Sequence, residues 1–78
     1  TMVNIGVAFQ NLGKTEDALY FLNMALQTRL QQNDWAGASS VEHILSTIYL
    51  QDQDYYNARL HGETALKLAE KATAHPIR

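Results

Sequence analysis

Residues 4–19 read NIGVAFQNLGKTEDAL and contain two glycines, Gly6 and Gly13, in a segment whose other residues mostly favour a helix. Gly6 lies among apolar neighbours, where glycine in place of alanine costs a helix about 1 kcal/mol. Gly13 follows Leu12, the last apolar residue before the polar residues 14–17, a position that suits a helix C-terminus. The cost at Gly6 needs an architectural reason, which the rest of the chain suggests.

Two helices account for the first part of the chain. Apolar side chains recur at helical spacing over residues 3–12, and this first helix should end at Gly13. Thr15 is placed to cap a second helix, whose apolar residues continue at helical spacing to about Gln32. The polar residues that follow interrupt the pattern, so we expect a turn there.

Two further helices fill the second part. Asp34 can cap a third helix over residues 35–51, and the pattern restarts at Asp54 to form a fourth helix rich in alanine. The small residues of the fourth helix recur on one side, which lets another helix approach closely. Residues 74–78, which include the single proline, are interpreted as a frayed tail. The chain is therefore predicted to be all-α, with one domain over residues 1–73.

The second half of the sequence can be laid over the first half, with residue 41 falling on residue 1. The helix break at residues 13–14 then coincides with residues 53–54. Identical residues coincide at three positions: Ala18 with Ala58, Ala25 with Ala65 and Leu26 with Leu66. The unit is therefore a helical hairpin used twice, as residues 1–33 and residues 34–73.

The first hairpin resembles a tetratricopeptide repeat. The signature of that family is Leu-Gly, an aromatic residue three positions after that Gly, a second Gly, and then Ala, a large apolar residue and another Ala. This chain matches the signature in order and spacing with Ile5-Gly6, Phe9, Gly13, Ala18, Leu22 and Ala25. In the family the two helices of a hairpin cross closely at the first glycine. The resemblance therefore implies that Gly6 permits an interhelical contact and that Gly13 turns the chain.

The second hairpin keeps part of the same signature, with matching residues at Leu45, Tyr49, Ala58 and Ala65. Ser46 and Gly62 stand where the family prefers a small residue and a large one, and Gly62 is the larger departure. The 40-residue period resembles the lengthened repeats of kinesin light chains and of G-protein-signalling modulator scaffolds. The resemblance implies an α-solenoid fragment of two tandem tetratricopeptide hairpins, stacked as a right-handed superhelix. The alternative is a generic four-helix bundle in which Gly6 is incidental.

Composition narrows the classes of function. The 78 residues carry a net charge of -2, and the Lys and Arg residues are scattered, so no basic stripe favours nucleic acid. No apolar run could span a membrane, and no basic start followed by an apolar block marks a signal peptide. The absence of cysteine excludes a disulfide framework and a thiolate zinc site. It also fits a reducing compartment, so we expect a cytoplasmic protein.

The sequence offers no constellation of side chains for catalysis or metal binding. Two histidine ligands on one helix need a spacing such as i and i+4, and no such pair occurs among His43, His61 and His75. Glu42 and His43 are adjacent, so they project about 100 degrees apart on a helix. His61 and Glu63 fail similarly. We therefore expect no enzyme, no cofactor and no metal site.

The first helix of each stacked hairpin lines the concave side of such an array, and here that surface is uncharged and rich in amides and hydroxyls. Such groups can hydrogen-bond an extended peptide or an exposed helix end. The residues expected there are Asn4, Val7, Gln10 and Asn11 on the first helix and Ser40, His43, Ile44, Thr47 and Gln51 on the third. Asn4 matches an asparagine that the family often uses to contact a peptide backbone. For each of these residues, plain solvent exposure is the alternative.

Aromatic residues near the helix starts allow two interpretations each. Trp35 is expected to pack against Leu30, and its alternative role is an anchor in an interface. Tyr55 and Tyr56 could stack on bases, but we expect Tyr55 to pack under the preceding turn and Tyr56 to be half exposed.

These features favour a non-catalytic scaffold module that holds a peptide or helix of a partner protein. Self-association is the first alternative, because two hairpins leave uncovered helices at both ends. A regulatory part of a larger enzyme or transcription factor is the second. The third helix is longer than the first, so the first helix lacks its opening turns by repeat logic, and we expect a piece of a longer array.

Overall fold

The computed structural model describes residues 1–74, so most of the predicted tail lies outside the described residues. Within this range the chain forms four helices: α1 (Met2–Asn11), α2 (Thr15–Gln31), α3 (Trp35–Gln51) and α4 (Tyr55–Ala74). Residues 1–74 contain no strand, so the all-α prediction is confirmed. Ala74, which we expected in the tail, is the last residue of α4.

The three turns between the helices share one backbone geometry. Each contains a residue with a left-handed φ: 77° at Gly13, 56° at Asn33 and 62° at Gln53. The next residue of each turn donates its N–H to a carbonyl of the preceding helix, for example Lys14 to Phe9 at 2.9 Å. This bond satisfies a carbonyl that the helix end leaves free. The turns are therefore equivalent and evenly spaced along the chain, although glycine occupies the left-handed position in the first alone.

Aspartates cap the two helices of the second half. The Asp34 carboxylate accepts the backbone N–H of Gly37 at 3.0 Å, as the sequence predicts. The Asp54 carboxylate accepts both the backbone and the side-chain N–H of Asn57, at 3.3 and 2.7 Å. The prediction that Thr15 caps α2 is wrong, because Thr15 is the first residue of the helix and the residue before it makes no side-chain cap.

The core forms where each helix packs antiparallel to the next, α1 on α2, α2 on α3 and α3 on α4. Within residues 1–74 the buried apolar side chains come from α2, α3 and α4: Ala18, Leu22, Ala25, Ala38, Val41, Leu45, Ile48, Ala58 and Ala65. The burial of Ala58 and Ala65 shows that α4 packs against α3 through its side of small residues. The buried residue of α1 is Gly6, so α1 is the most weakly anchored of the four helices.

Gly6 marks a close approach of α1 to α2. A Cβ atom at Gly6 would lie 2.7 Å from Cγ of Leu22 and 3.4 Å from the carbonyl oxygen of Ala18. The first distance is shorter than carbon atoms tolerate, so a side chain at residue 6 would displace the Leu22 side chain or α2. The expected interhelical contact at Gly6 is confirmed.

The aromatic residues at the helix starts lie nearer to solvent than we expected. Tyr55 is 64% exposed, so the prediction that it packs under the preceding turn is wrong. Tyr56 is exposed as well. Trp35 is half-buried, and the ammonium of Lys71 lies 3.9 Å from the centre of its ring. A cation over an aromatic face is attracted to it, so this contact fastens the end of α4 to the start of α3.

None of the helices formed by residues 1–74 combines the length and the apolar character that crossing a bilayer requires.

Candidate functional site

The C-terminal ends of α1 and α3 lie side by side. Nε2 of Gln10 donates a hydrogen bond to Oε1 of Gln51 at 3.2 Å, between residues far apart in sequence. Both residues belong to the set predicted to bind a partner. The contact joins the first helices of the two hairpins, and it defines the surface that we call the α1–α3 face.

The other members of the α1–α3 face follow from helical spacing, because residues three or four positions apart share one side of a helix. Near the contact between Gln10 and Gln51 the face comprises Asn4, Val7, Gln10, Asn11, Thr47 and Gln51, and Ile44 and Ser40 continue the same side of α3 toward its N-terminus. Asn4 and Asn11 are exposed and Val7 is half-buried. The backbone N–H of Asn4 bonds to the hydroxyl of Thr1 at 3.2 Å, which fixes the start of α1 and leaves the Asn4 side chain on the surface.

Three predicted residues of α3, Ser40, His43 and Ile44, lie nearer the start of that helix and border α4. Together with residues of α4 they line an open groove of about 530 Å³, which we call the α3–α4 groove: Ser39, Ser40, His43, Ile44, Gly62, Ala65, Leu66 and Ala69. Ser40 and His43 are exposed, whereas Ile44 is half-buried against the core. The structure therefore divides the nine predicted residues between two neighbouring surfaces.

The hydroxyls of Ser40 and Thr47, the two predicted residues that carry one, are engaged with their own helix. The Ser40 hydroxyl donates to the carbonyl of Ala36 at 3.2 Å, and the Thr47 hydroxyl donates to the carbonyl of His43 at 3.1 Å. Each oxygen still has lone pairs that can accept a hydrogen bond. These hydroxyls are therefore suited to accept the N–H of a partner backbone.

Stacked rings recur in both hairpins, a feature that the sequence analysis missed. Phe9 and Phe21 stack with ring centres 5.6 Å apart and planes 11° apart. Tyr49 and His61, at the corresponding positions of the second hairpin, stack at 5.2 Å and 10°. The sequence overlay had paired Phe9 with Tyr49, and extending it to Phe21 and His61 would have found the second ring. The shared geometry supports the interpretation of the two hairpins as copies of one unit.

The second hairpin also contains a buried carboxylate. Oε1 of Glu42 lies 2.7 Å from Nδ1 of His61, and Glu42 is 5% exposed. The sequence analysis considered each histidine only with acidic neighbours on its own helix, so it missed this pair between α3 and α4. The carboxylate holds the imidazole in place and the imidazole satisfies the carboxylate. Residues 1–74 contain no group of three or more His, Asp or Glu side chains placed to hold a metal ion.

Comparisons with known proteins identified no relative of this chain. No family model, curated protein or solved structure that was compared with the chain matches it. The likeness to tetratricopeptide repeats therefore rests on the sequence signature and on the geometry of the two hairpins, and membership of that family stays a prediction.

Proposed function

We propose that the chain is a non-catalytic protein-interaction module whose α1–α3 face holds an extended peptide or a helix of a partner protein. The observation that carries the proposal is the hydrogen bond between Gln10 and Gln51. Because it joins the ends of α1 and α3, polar residues of two hairpins form one surface. A surface of this kind can contact several successive residues of a ligand.

The chemistry of the α1–α3 face favours a neutral ligand segment. Its six residues are amides, a hydroxyl and a valine, and none carries a charge. Amide side chains both donate and accept hydrogen bonds, so they can pair with a peptide backbone. Without cationic side chains on this face, recognition of nucleic acid or of a terminal carboxylate has no support there.

The proposed architecture is a pair of tetratricopeptide-like hairpins that forms part of a cytoplasmic scaffold and stacks as a right-handed superhelix. Support comes from the contact at Gly6, from ring pairs at corresponding positions of the two hairpins and from three turns of one geometry. In arrays of this kind each hairpin contacts its neighbours, and the first helices form a continuous binding surface.

The proposal is tested with peptides selected from a random displayed library against the folded chain. Amide chemical shifts of the isotope-labelled chain are then followed as a selected peptide is added. We expect the largest shifts at residues of the α1–α3 face. Shifts confined to the outer side of α2 or α4 would contradict the proposal.

A pair of asparagine variants provides the matched control. Asn4 lies on the α1–α3 face and Asn23 is exposed on α2, so Asn4→Glu and Asn23→Glu introduce the same charge on different surfaces. Asn4→Glu should not weaken α1, because Thr1 already caps the backbone of residue 4 and a glutamate there completes a capping box. We expect Asn4→Glu to reduce peptide affinity about tenfold and Asn23→Glu to leave it unchanged.

A further inference from the structure

The α3–α4 groove corresponds to a surface of the first hairpin on which α3 packs. In the overlay of the two hairpins, its α4 members fall on Leu22, Ala25, Leu26 and Arg29 of α2. That part of α2 packs against α3, and Leu26 is half-buried there. Its counterpart Leu66 is 61% exposed. The second hairpin therefore presents the surface on which the first hairpin binds a following helix.

The opposite end of the molecule presents the complementary surface. Leu45 and Ile48 of α3 are buried where α3 packs on α2. Their counterparts on α1 are Ile5 and Ala8, both exposed, with Ile5 at 44%. Leu12, one turn further along, is 71% exposed. We call this surface the α1 apolar face; it is defined by Ile5, Ala8 and Leu12.

We propose that the α1 apolar face of one copy of this chain docks in the α3–α4 groove of a second copy. The contact repeats between molecules the packing of α3 on α2 within one molecule. Each copy has one surface of each kind, and the two surfaces are different. The association is therefore head-to-tail, and it leaves a free surface at each end for a further copy. It does not depend on peptide binding at the α1–α3 face.

The shape and charge of the groove fit this occupant. Gly62 stands where the first hairpin has Leu22, and a Cβ atom there would meet Oγ of Ser46 at 3.4 Å and no closer neighbour. The missing side chain leaves space that Ile5 of the second copy can fill. The groove contains no Lys, Arg, Asp or Glu, and the α1 apolar face contains none. Association therefore buries apolar surface without burying an unpaired charge.

The length of the contact sets the expected strength. α1 has 10 residues and α3 has 17, so α1 covers less of the groove than α3 covers of α2. A small apolar contact of this kind gives a weak complex, with a dissociation constant on the order of 100 µM.

Sedimentation equilibrium of the 78-residue chain, from about 10 µM to about 1 mM, tests the proposal. We expect the average mass to rise steadily with concentration and to pass beyond that of a dimer. A mass that stays at the monomer over this range overturns the proposal. A mass that levels off at the dimer overturns it too, because it indicates a closed pair.

Two variants that each block one surface make the test specific. Ile5→Glu places a charge on the α1 apolar face, and Gly62→Glu places one in the groove. We expect each variant alone to be monomeric. An equimolar mixture should form a dimer and nothing larger, because the intact α1 of the Gly62→Glu chain docks in the intact groove of the Ile5→Glu chain.

Controls separate this outcome from misfolding and from a symmetric pair. Circular dichroism establishes that each variant keeps its helix content, and Ala8→Glu or Leu66→Glu replaces a variant that does not. If Ile5→Glu and Ala8→Glu associate as the unmodified chain does, α1 is not the occupant and the proposal is wrong. It is also wrong if the mixture of blocked variants stays monomeric.

Discussion

The two hairpins have the same geometry and are held together by different chemistry. Where α1 crosses α2, Gly6 lies against the Leu22 side chain in a purely apolar contact. Where α3 crosses α4, Gly62 stands at the position of Leu22, and Ser46 stands at the position of Gly6. The Ser46 hydroxyl there donates to the carbonyl of Ala58 at 2.6 Å. A close helix crossing can thus be stabilised by filling space or by one hydrogen bond from a small side chain to the opposite backbone.

The same contrast extends along the hairpins. Phe9 stacks on Phe21 in the first, whereas Tyr49 stacks on His61 in the second, and His61 also bonds the buried carboxylate of Glu42. Apolar contacts tolerate small shifts, but a buried polar group must find its partner. In the part of the chain that the structure describes, every buried side-chain nitrogen and oxygen has such a partner. The second hairpin is therefore the more sensitive of the two to loss of a single atom.

The largest loss in the free energy of unfolding is expected when the apolar contact at the crossing of α1 and α2 is removed. Leu22 is fully buried, so Leu22→Gly loses its packing, leaves a cavity and weakens α2, at a cost of about 4 kcal/mol. Adding Gly6→Ser should restore about 1 kcal/mol or more, because the new side chain enters the space that Leu22 vacates. Urea denaturation of the chain, both single variants and the double variant measures the coupling. Additive effects would show that the two hairpins do not use interchangeable crossings.

The next effect concerns the buried carboxylate. His61→Ala leaves Glu42 without its imidazole, and we expect it to lower the free energy of unfolding by about 3 kcal/mol. The double variant Glu42→Met with His61→Phe gives the second hairpin the residues of the first, Met2 and Phe21. We expect it to recover most of that loss, because no buried polar group is left without its partner. Thermal unfolding of both variants decides the matter, and a double variant as unstable as His61→Ala would falsify the explanation.

A smaller effect is expected at the polar crossing. Ser46→Ala removes the hydroxyl that bonds Ala58, and we expect it to lower the free energy of unfolding by about 1 kcal/mol. Ser40→Ala is the control, since the Ser40 hydroxyl is exposed and bonds a carbonyl of its own helix. Its removal should change stability by less than about 0.5 kcal/mol. Equal losses in the two variants, measured by urea denaturation, would argue against a special role for the hydrogen bond between α3 and α4.

The sequence predicted the apolar crossing of the first hairpin but not the polar contacts of the second. The helix bounds were predicted from local periodicity, and the crossing at Gly6 was predicted from the resemblance to a family signature. The bonds from Ser46 to Ala58 and from Glu42 to His61 were not, because they join residues whose proximity depends on how α3 packs on α4. Polar residues at helical spacing do not indicate which neighbour they will meet.

The candidate site shows a similar limit. Helical spacing placed nine residues on one predicted concave surface. The structure brings Gln10 and Gln51 together, whereas Ser40 and His43 line the open groove that α3 shares with α4. The spacing of residues along α3 specifies its sides, yet the direction of packing decides which side faces which helix. Only the tertiary structure distinguishes a surface formed between the two hairpins from a groove formed within one hairpin.

The smallest effect is expected in the turns, where the two hairpins again differ in residue type and agree in geometry. Gln53 has a φ of 62° at the position that Gly13 occupies with a φ of 77°. A residue with a Cβ atom is disfavoured there, whereas glycine adopts the conformation freely. Gln53→Gly should therefore raise the free energy of unfolding by about 0.5 kcal/mol, the relief of strain exceeding the greater freedom of glycine in the unfolded chain.

Gly13→Ala is the reciprocal change and should lower the free energy of unfolding by about 1 kcal/mol. A Cβ atom at residue 13 would meet nothing within 4 Å, so crowding cannot cause the loss and only the backbone conformation can. Thermal unfolding of the two variants beside the unmodified chain resolves shifts of this size. If Gln53→Gly destabilises the chain, the strain at the φ of Gln53 is smaller than the stability lost through the greater freedom of glycine in the unfolded chain. The third turn would then differ from the first in its contribution to stability, although the two turns have the same backbone conformation.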